Sequence, residues 1–153
     1  MSSRNPILRA ATAADLPGIA RVRTSVRENL LTVEQLRERG VTNESVAASF
    51  LADSRGWVAE HDREIVAFAI ADRASRSIFA LFVLPDWEGR GLGSRLLELA
   101  LGWLRENGAT VVWLTTGPET KAAGFYERRG WVATGRGERG DTRYELDLSG
   151  RRA

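Results

Sequence analysis

Gly89-Arg90-Gly91-Leu92-Gly93-Ser94 joins an apolar run, Ser77 to Leu84, to a long amphipathic segment, Ser94 to Asn107. No other feature constrains the chain as much. Glycines at alternate positions let the backbone turn tightly and bring several N–H groups to bear on one point. The loop opens a helix, whose first turn carries unpaired N–H groups and the positive end of the macrodipole. Such a corner suits phosphate, and the plainer reading is a flexible strand-to-helix turn.

The flanks favour phosphate. Ile78 to Leu84 is a continuous run rich in β-formers, which predicts a strand buried on both faces, ended by Pro85. Leu92, Leu96, Leu99, Ala100, Trp103 and Leu104 recur at helical spacing, and Gly108 supplies a stop. Strand, glycine turn and helix put the loop on the rim of an α/β sheet. A Walker loop would need a lysine that is missing here. A dinucleotide fingerprint would need glycine where Ser94 stands.

A second segment runs from Thr120 to Trp131, as Thr-Lys-Ala-Ala-Gly-Phe-Tyr-Glu-Arg-Arg-Gly-Trp. Pro118 suits the first turn of a helix and Gly130 its end, so Tyr126 falls in the last turns of a short helix. Taken alone, Tyr126 reads as a half-buried aromatic.

Together and in this order, the two segments resemble the GNAT superfamily of N-acetyltransferases. Glu88 to Gly93 matches the family's Gln/Arg-x-x-Gly-x-Gly/Ala loop, and Ala122 to Trp131 matches its Ala-x-x-Phe-Tyr-Glu-x-x-Gly-Phe segment. The resemblance is most specific from Leu81 to Trp131. It departs at Glu88, where Gln or Arg is usual, and at Glu119, where asparagine is common. The resemblance implies an α/β (α+β mixed-sheet) fold, with a mostly antiparallel twisted sheet of about six to seven strands splayed at the middle and flanked by about four helices. It also implies acetyl-CoA as cosubstrate, held by Glu88, Gly89, Arg90, Gly91, Leu92, Gly93 and Ser94. The pantetheine arm would enter a slot between Ser77–Leu84 and Val111–Thr115 and pair with the backbone of Leu81, Phe82 and Val83. An N–H near Val83 or Leu84 would polarise the thioester carbonyl. Tyr126, carried over from the motif, would act as general acid toward the departing thiolate, since a phenol is protonated at neutral pH.

The implied reaction is transfer of acetyl from acetyl-CoA to a primary amine of a small molecule or peptide, by direct attack. The alternative is a non-catalytic acyl-CoA-binding or sensing module. The acceptor pocket is least legible. Arg23 and Arg27 lie four apart on one helix face beside Glu28 and suit either a carboxylate clamp or plain solvation. No position stands out as general base.

Composition agrees with a cytoplasmic enzyme. At 153 residues the chain predicts one domain, with a core from about residue 7 to 148. No run approaches the roughly 18 apolar residues of a membrane span, and the N-terminus lacks the apolar stretch of a signal peptide. With no cysteine and one histidine, His61, disulfides and thiolate chemistry are excluded and no metal is expected; His61 reads as a surface loop residue. Arginines interspersed with acids and a net charge of +2 argue against nucleic-acid or membrane partners. A homodimer stays open.

The remaining pattern predicts a strand over Ile7–Ala10, a capping box at Thr12 to Asp15, and a helix reaching Glu28 or Leu30. Short helices at Val33–Arg39 and Asn43–Leu51 follow. A hairpin of Trp57–Glu60 with Ile65–Ala71 comes next, turning at residues 61–63. Later strands fall at Val111–Thr115, Trp131–Arg136 and Arg143–Leu148.

Overall fold

Two neighbouring strands of the sheet form a hairpin whose turn uses no glycine. Strands β2 (Ser54–His61) and β3 (Glu64–Asp72) are joined through Asp62 and Arg63, both left-handed at φ 49° and 66°. Two successive positive φ values give a turn whose twist matches that of paired strands. The computed structural model describes residues 6–25, 42–116, 121–136 and 141–149. Within these, β1 (Ile7–Ala10), β4 (Ser77–Val83), β5 (Val111–Thr116), β6 (Val132–Arg136) and β7 (Thr142–Asp147) complete a seven-stranded sheet in the order β1-β2-β3-β4-β5-β7-β6. Every neighbouring pair is antiparallel except β4 with β5. Four described helices flank the sheet: α1 (Leu16–Ser25), α2 (Asn43–Phe50), α3 (Leu92–Glu106) and α4 (Lys121–Glu127). The mixed α/β sheet with about four helices therefore stands as expected, and the Val33–Arg39 helix lies outside the described residues.

β3 shows how sequence sets the layers. Alternate residues face opposite sides of a strand. Ala67, Ala69 and Ala71 pack in the cluster containing α3, while Phe68 and Ile70 pack with Leu16, Ile19 and Val22 of α1. Small residues on the α3 side leave room for Leu92, Leu96, Leu97, Leu101 and Leu104, each at most 2% exposed. Burying a leucine side chain contributes about 1.5–3 kcal/mol, so this stripe fixes α3 against the sheet. The inward stripe differs from the expected one at one place: Leu99 is exposed, and Leu97 and Leu101 are buried instead.

β4 also differs. It was expected to be buried on both faces, yet Phe79 is 52% exposed and Leu81, Phe82 and Val83 are half-buried. Phe79 has no partner on β3, because the register shifts between the pairs Ile70↔Ala80 and Ala71↔Ile78, and β5 pairs with β4 only at Ser77. Among the described residues, no helix is long and apolar enough to cross a membrane.

The chain enters α1 as the capping box suggests, though by half of it. Asp15 accepts the Thr12 N–H at 2.8 Å, while the Asp15 N–H goes to the Thr12 carbonyl and makes a 3₁₀ turn, Ala13–Asp15. Arg9 clamps the same carboxylate through two N–H donors at 2.8 Å and reaches Glu60 at 2.9 Å. This joins β1, β2 and the helix start.

Candidate functional site

β4 and β5 keep register through a single pair, Ser77↔Trp113. Beyond it they separate, which is the splay the resemblance implies. The edge that β4 presents there follows from its pairing with β3. The Leu84 N–H donates to the Val66 carbonyl at 2.9 Å, and the register runs Ala67↔Val83, Phe68↔Phe82, Ala69↔Leu81. Antiparallel partners alternate between exchanging hydrogen bonds and facing away. Phe82 therefore spends its amide on β3, whereas Leu81 and Val83 turn their N–H and C=O groups toward the splay. Of the three residues expected to pair with pantetheine, Leu81 and Val83 offer main chain. Phe82 does not.

Pro85–Trp87 forms a 3₁₀ turn after β4, and the loop then bends at Gly89 and Gly91, left-handed at φ 77° and 80°. Gly91 is the N-cap of α3, and its carbonyl accepts the Arg95 N–H at 3.1 Å. Gly93 does a different job. It is helical, and a Cβ there would stand 3.6 Å from the Phe125 ring and 3.7 Å from Val83. The end of β4, the start of α3 and helix α4 thus meet at Gly93. Arg90 lies 4.6 Å from the centre of the Trp87 ring, whose other neighbour is the His61 ring at 4.7 Å. His61 is accordingly no surface residue: its side chain is 14% exposed and packs under the loop.

Tyr126 sits in the last turn of α4, 6% exposed, with edge contacts to Phe125 at 5.1 Å and Trp131 at 5.4 Å. Among the described residues its hydroxyl has no hydrogen-bond partner. Burial pushes the phenol well above its ordinary range, and the nearby Arg129 charge pulls it back. It is therefore protonated at neutral pH. Tyr144 has a structural task, donating at 2.7 Å to Glu127 and tying β7 to α4.

Arg129 is the residue that the sequence reading missed. Its Nε and Nη2 donate to Ser94 Oγ at 3.1 and 2.7 Å, Nη1 donates to the Phe125 carbonyl, and the guanidinium lies 3.7 Å over the Phe125 ring. Nothing in the spacing from Ser94 to Arg129 signals this contact. It exists because the turn after α4 comes back to the start of α3.

Of the suggested acceptor residues, Arg23 does not join this group. Arg23 is buried in the α1 layer, with Phe68, Phe79 and Phe82 rings 5.4–5.9 Å from its guanidinium carbon. That is the opposite face of β4 from Val83, and burial brings its pKa down to about 10. Plain solvation is thereby ruled out for Arg23, while Arg27 and Glu28 lie outside the described residues. Among the described residues, no His, Cys, Asp and Glu cluster could hold a metal.

The sequence profile of the Acetyltransferase (GNAT) family matches residues 24–131. The chain belongs to this family. An uncharacterized N-acetyltransferase of Archaeoglobus fulgidus is 32% identical over 129 residues, covering 78% of this chain and 88% of that protein. The peptidyl-lysine N-acetyltransferase YjaB of Salmonella typhimurium is 35% identical over 99 residues, 62% of each chain. This chain therefore spans about three fifths of that relative's length. In fold, this GNAT chain resembles the PaiA N-acetyltransferase of Thermoplasma acidophilum, solved with coenzyme A. The TM-score is 0.80 at 14% identity, over 94% of this chain and 99% of that one. The ribosomal-protein-S18-alanine N-acetyltransferase of Escherichia coli gives 0.73 at 20% identity over 94% of each. At these identities the likeness is one of fold.

Proposed function

We propose that this GNAT chain moves the acetyl group of acetyl-CoA to a primary amine of a small molecule or peptide. The observation that carries the reading is the splay of β4 from β5 beside a glycine-bent α3 N-terminus, in a member of this family. The α3 N–H groups and the Gly89–Ser94 loop take the pyrophosphate. The amides of Leu81 and Val83 pair with the pantetheine arm, as a peptide adds to a sheet edge. Glu88, carrying the wrong charge for a phosphate, contributes backbone alone.

In the reaction, a neutral amine nitrogen attacks the thioester carbon. Charge gathers on the carbonyl oxygen, where a main-chain N–H at the end of β4 stabilises it. The C–S bond then breaks and its electron pair leaves on sulfur. Tyr126 gives its phenolic proton to that sulfur, and solvent returns a proton to the phenolate while accepting the amine's surplus one. Burial weakens Tyr126 as an acid and the Arg129 charge restores part of its strength. The N–H, C–S and O–H bonds balance with no further reactant.

A peptidyl lysine heads the acceptors to test, because YjaB is named for that substrate. The chain acts as one catalytic domain in this reading, and it works in the cytoplasm. Thiol release from acetyl-CoA over a panel of lysine peptides, free amino acids and polyamines tests the proposal. Acetyl-CoA-dependent release with at least one amine is the expected result. Binding of acetyl-CoA without release across the panel would favour the sensing module instead.

A further inference from the structure

We infer that Arg129 is a donor-binding residue, supplying to the phosphates the charge that Glu88 cannot; the inference rests on the acetyl-CoA reading above. The Ser94 hydroxyl has two acceptor sites and one proton. Arg129 fills the acceptor side with two donors, Nε at 3.1 Å and Nη2 at 2.7 Å. The Ser94 proton must then point elsewhere, and an anion at the start of α3 is the partner such a hydroxyl suits. Ser94 becomes a committed donor beside N–H groups that are donors already.

Arg129 also has capacity of its own. Its Nη1 uses one N–H on the Phe125 carbonyl and Nη2 one on Ser94, so each keeps a second N–H. The guanidinium is only partly buried, which leaves these donors within reach of a ligand. Stacking at 3.7 Å on Phe125 fixes its plane, and Phe125 itself is seated against Gly93. The cation is thus held in place before any ligand arrives, and a fixed guanidinium fork matches phosphate oxygens in pairs. The turn after helix α4 contributes the charge, in a chain whose loop has glutamate at the position where the resembling family uses Gln or Arg.

Calorimetry with coenzyme A, 3′-dephospho-coenzyme A and pantetheine tests this without knowledge of the acceptor. Arg129→Ala should weaken coenzyme A about tenfold to a hundredfold, the worth of charge-assisted hydrogen bonds. It should weaken the dephospho form similarly, since the pyrophosphate remains, and leave pantetheine unchanged. Arg129→Lys keeps the charge without the fork and should recover part of the loss. Ser94→Ala combined with Arg129→Ala should lose less than the two single losses multiplied, because the residues act together. An equal loss for pantetheine would mark Arg129 as merely structural and overturn the inference. So would unchanged coenzyme A affinity in Arg129→Ala. If the wild-type protein itself bound no coenzyme A, the acetyl-CoA reading would fall and this inference with it. Should Arg129→Ala unfold, the same ratios read on Arg129→Lys and Ser94→Ala decide the matter.

Discussion

Ser77 and Trp113 face each other across the only register pair that β4 and β5 share. The indole N–H of Trp113 donates to the Ser75 carbonyl at 2.9 Å, and its main-chain N–H donates to the Arg76 carbonyl at 3.1 Å. The two strands are pinned at this end and part at the other. A ligand with amides along its length fits the open end. 3′-Phosphoadenosine 5′-diphosphate, which keeps the pyrophosphate and lacks the pantetheine arm, should therefore bind about tenfold to a hundredfold more weakly than coenzyme A. That loss corresponds to one or two net hydrogen bonds and some apolar contact. Equal affinities in calorimetry would show that the strand edges take no part.

The glycines of the loop should separate by conformation. Gly91→Ala puts a Cβ on a backbone at φ 80° and should cost about 1–2 kcal/mol, with a matching fall in coenzyme A affinity as the loop relaxes. Gly93→Ala meets only ordinary contacts with Phe125 and Val83, on a helical backbone, and should keep both fold and affinity. Gly93→Val carries more bulk toward the same ring and should push α4 away. Chemical denaturation and calorimetry on the three variants check the ranking.

Asp15→Asn should destabilise the protein by about 1 kcal/mol at neutral pH, a figure held down by the partial exposure of Arg9. Hydrogen bonds from Arg9 hold the Asp15 carboxyl below the usual carboxylate range. A lowered folded-state pKa gives stability that is present above the unfolded value, about 3.9, and is lost as pH falls through the folded one. The difference between wild type and variant should therefore be full near pH 6 and shrink on acidification. Denaturation midpoints at several pH values measure it, and a difference that grows in acid would contradict the assignment.

What the sequence made legible followed local rules. The loop glycines, the hairpin turn and the Thr12–Asp15 entry each depend on neighbours a few residues apart and are where the pattern puts them, and the α3 stripe departs from it only in burying Leu97 and Leu101 rather than Leu99. The splay came through resemblance and then from the register of β4. The misreadings have one cause: they needed knowledge of what lies across space. Phe79 falls where the register of β4 against β3 shifts, which its own residue type does not announce. His61 is covered by Trp87, and Arg129 reaches Ser94 across a fold-back. Arg23 looked like a surface arginine on a helix and is instead enclosed by phenylalanines from two strands.

The most direct measurement is the single-turnover rate of acetyl transfer to an accepted amine, for wild type and Tyr126→Phe, across pH. The hydroxyl has no partner among the described residues and the ring keeps its contacts with Phe125 and Trp131, so melting and coenzyme A affinity should not change. The transfer rate should fall by roughly 10²–10⁴, the worth of a positioned general acid. Because burial keeps the phenol protonated through the neutral range, the wild-type rate should rise with pH as the amine deprotonates, with no loss from Tyr126 ionisation. A Tyr126→Phe protein that transfers acetyl at the wild-type rate would contradict the account.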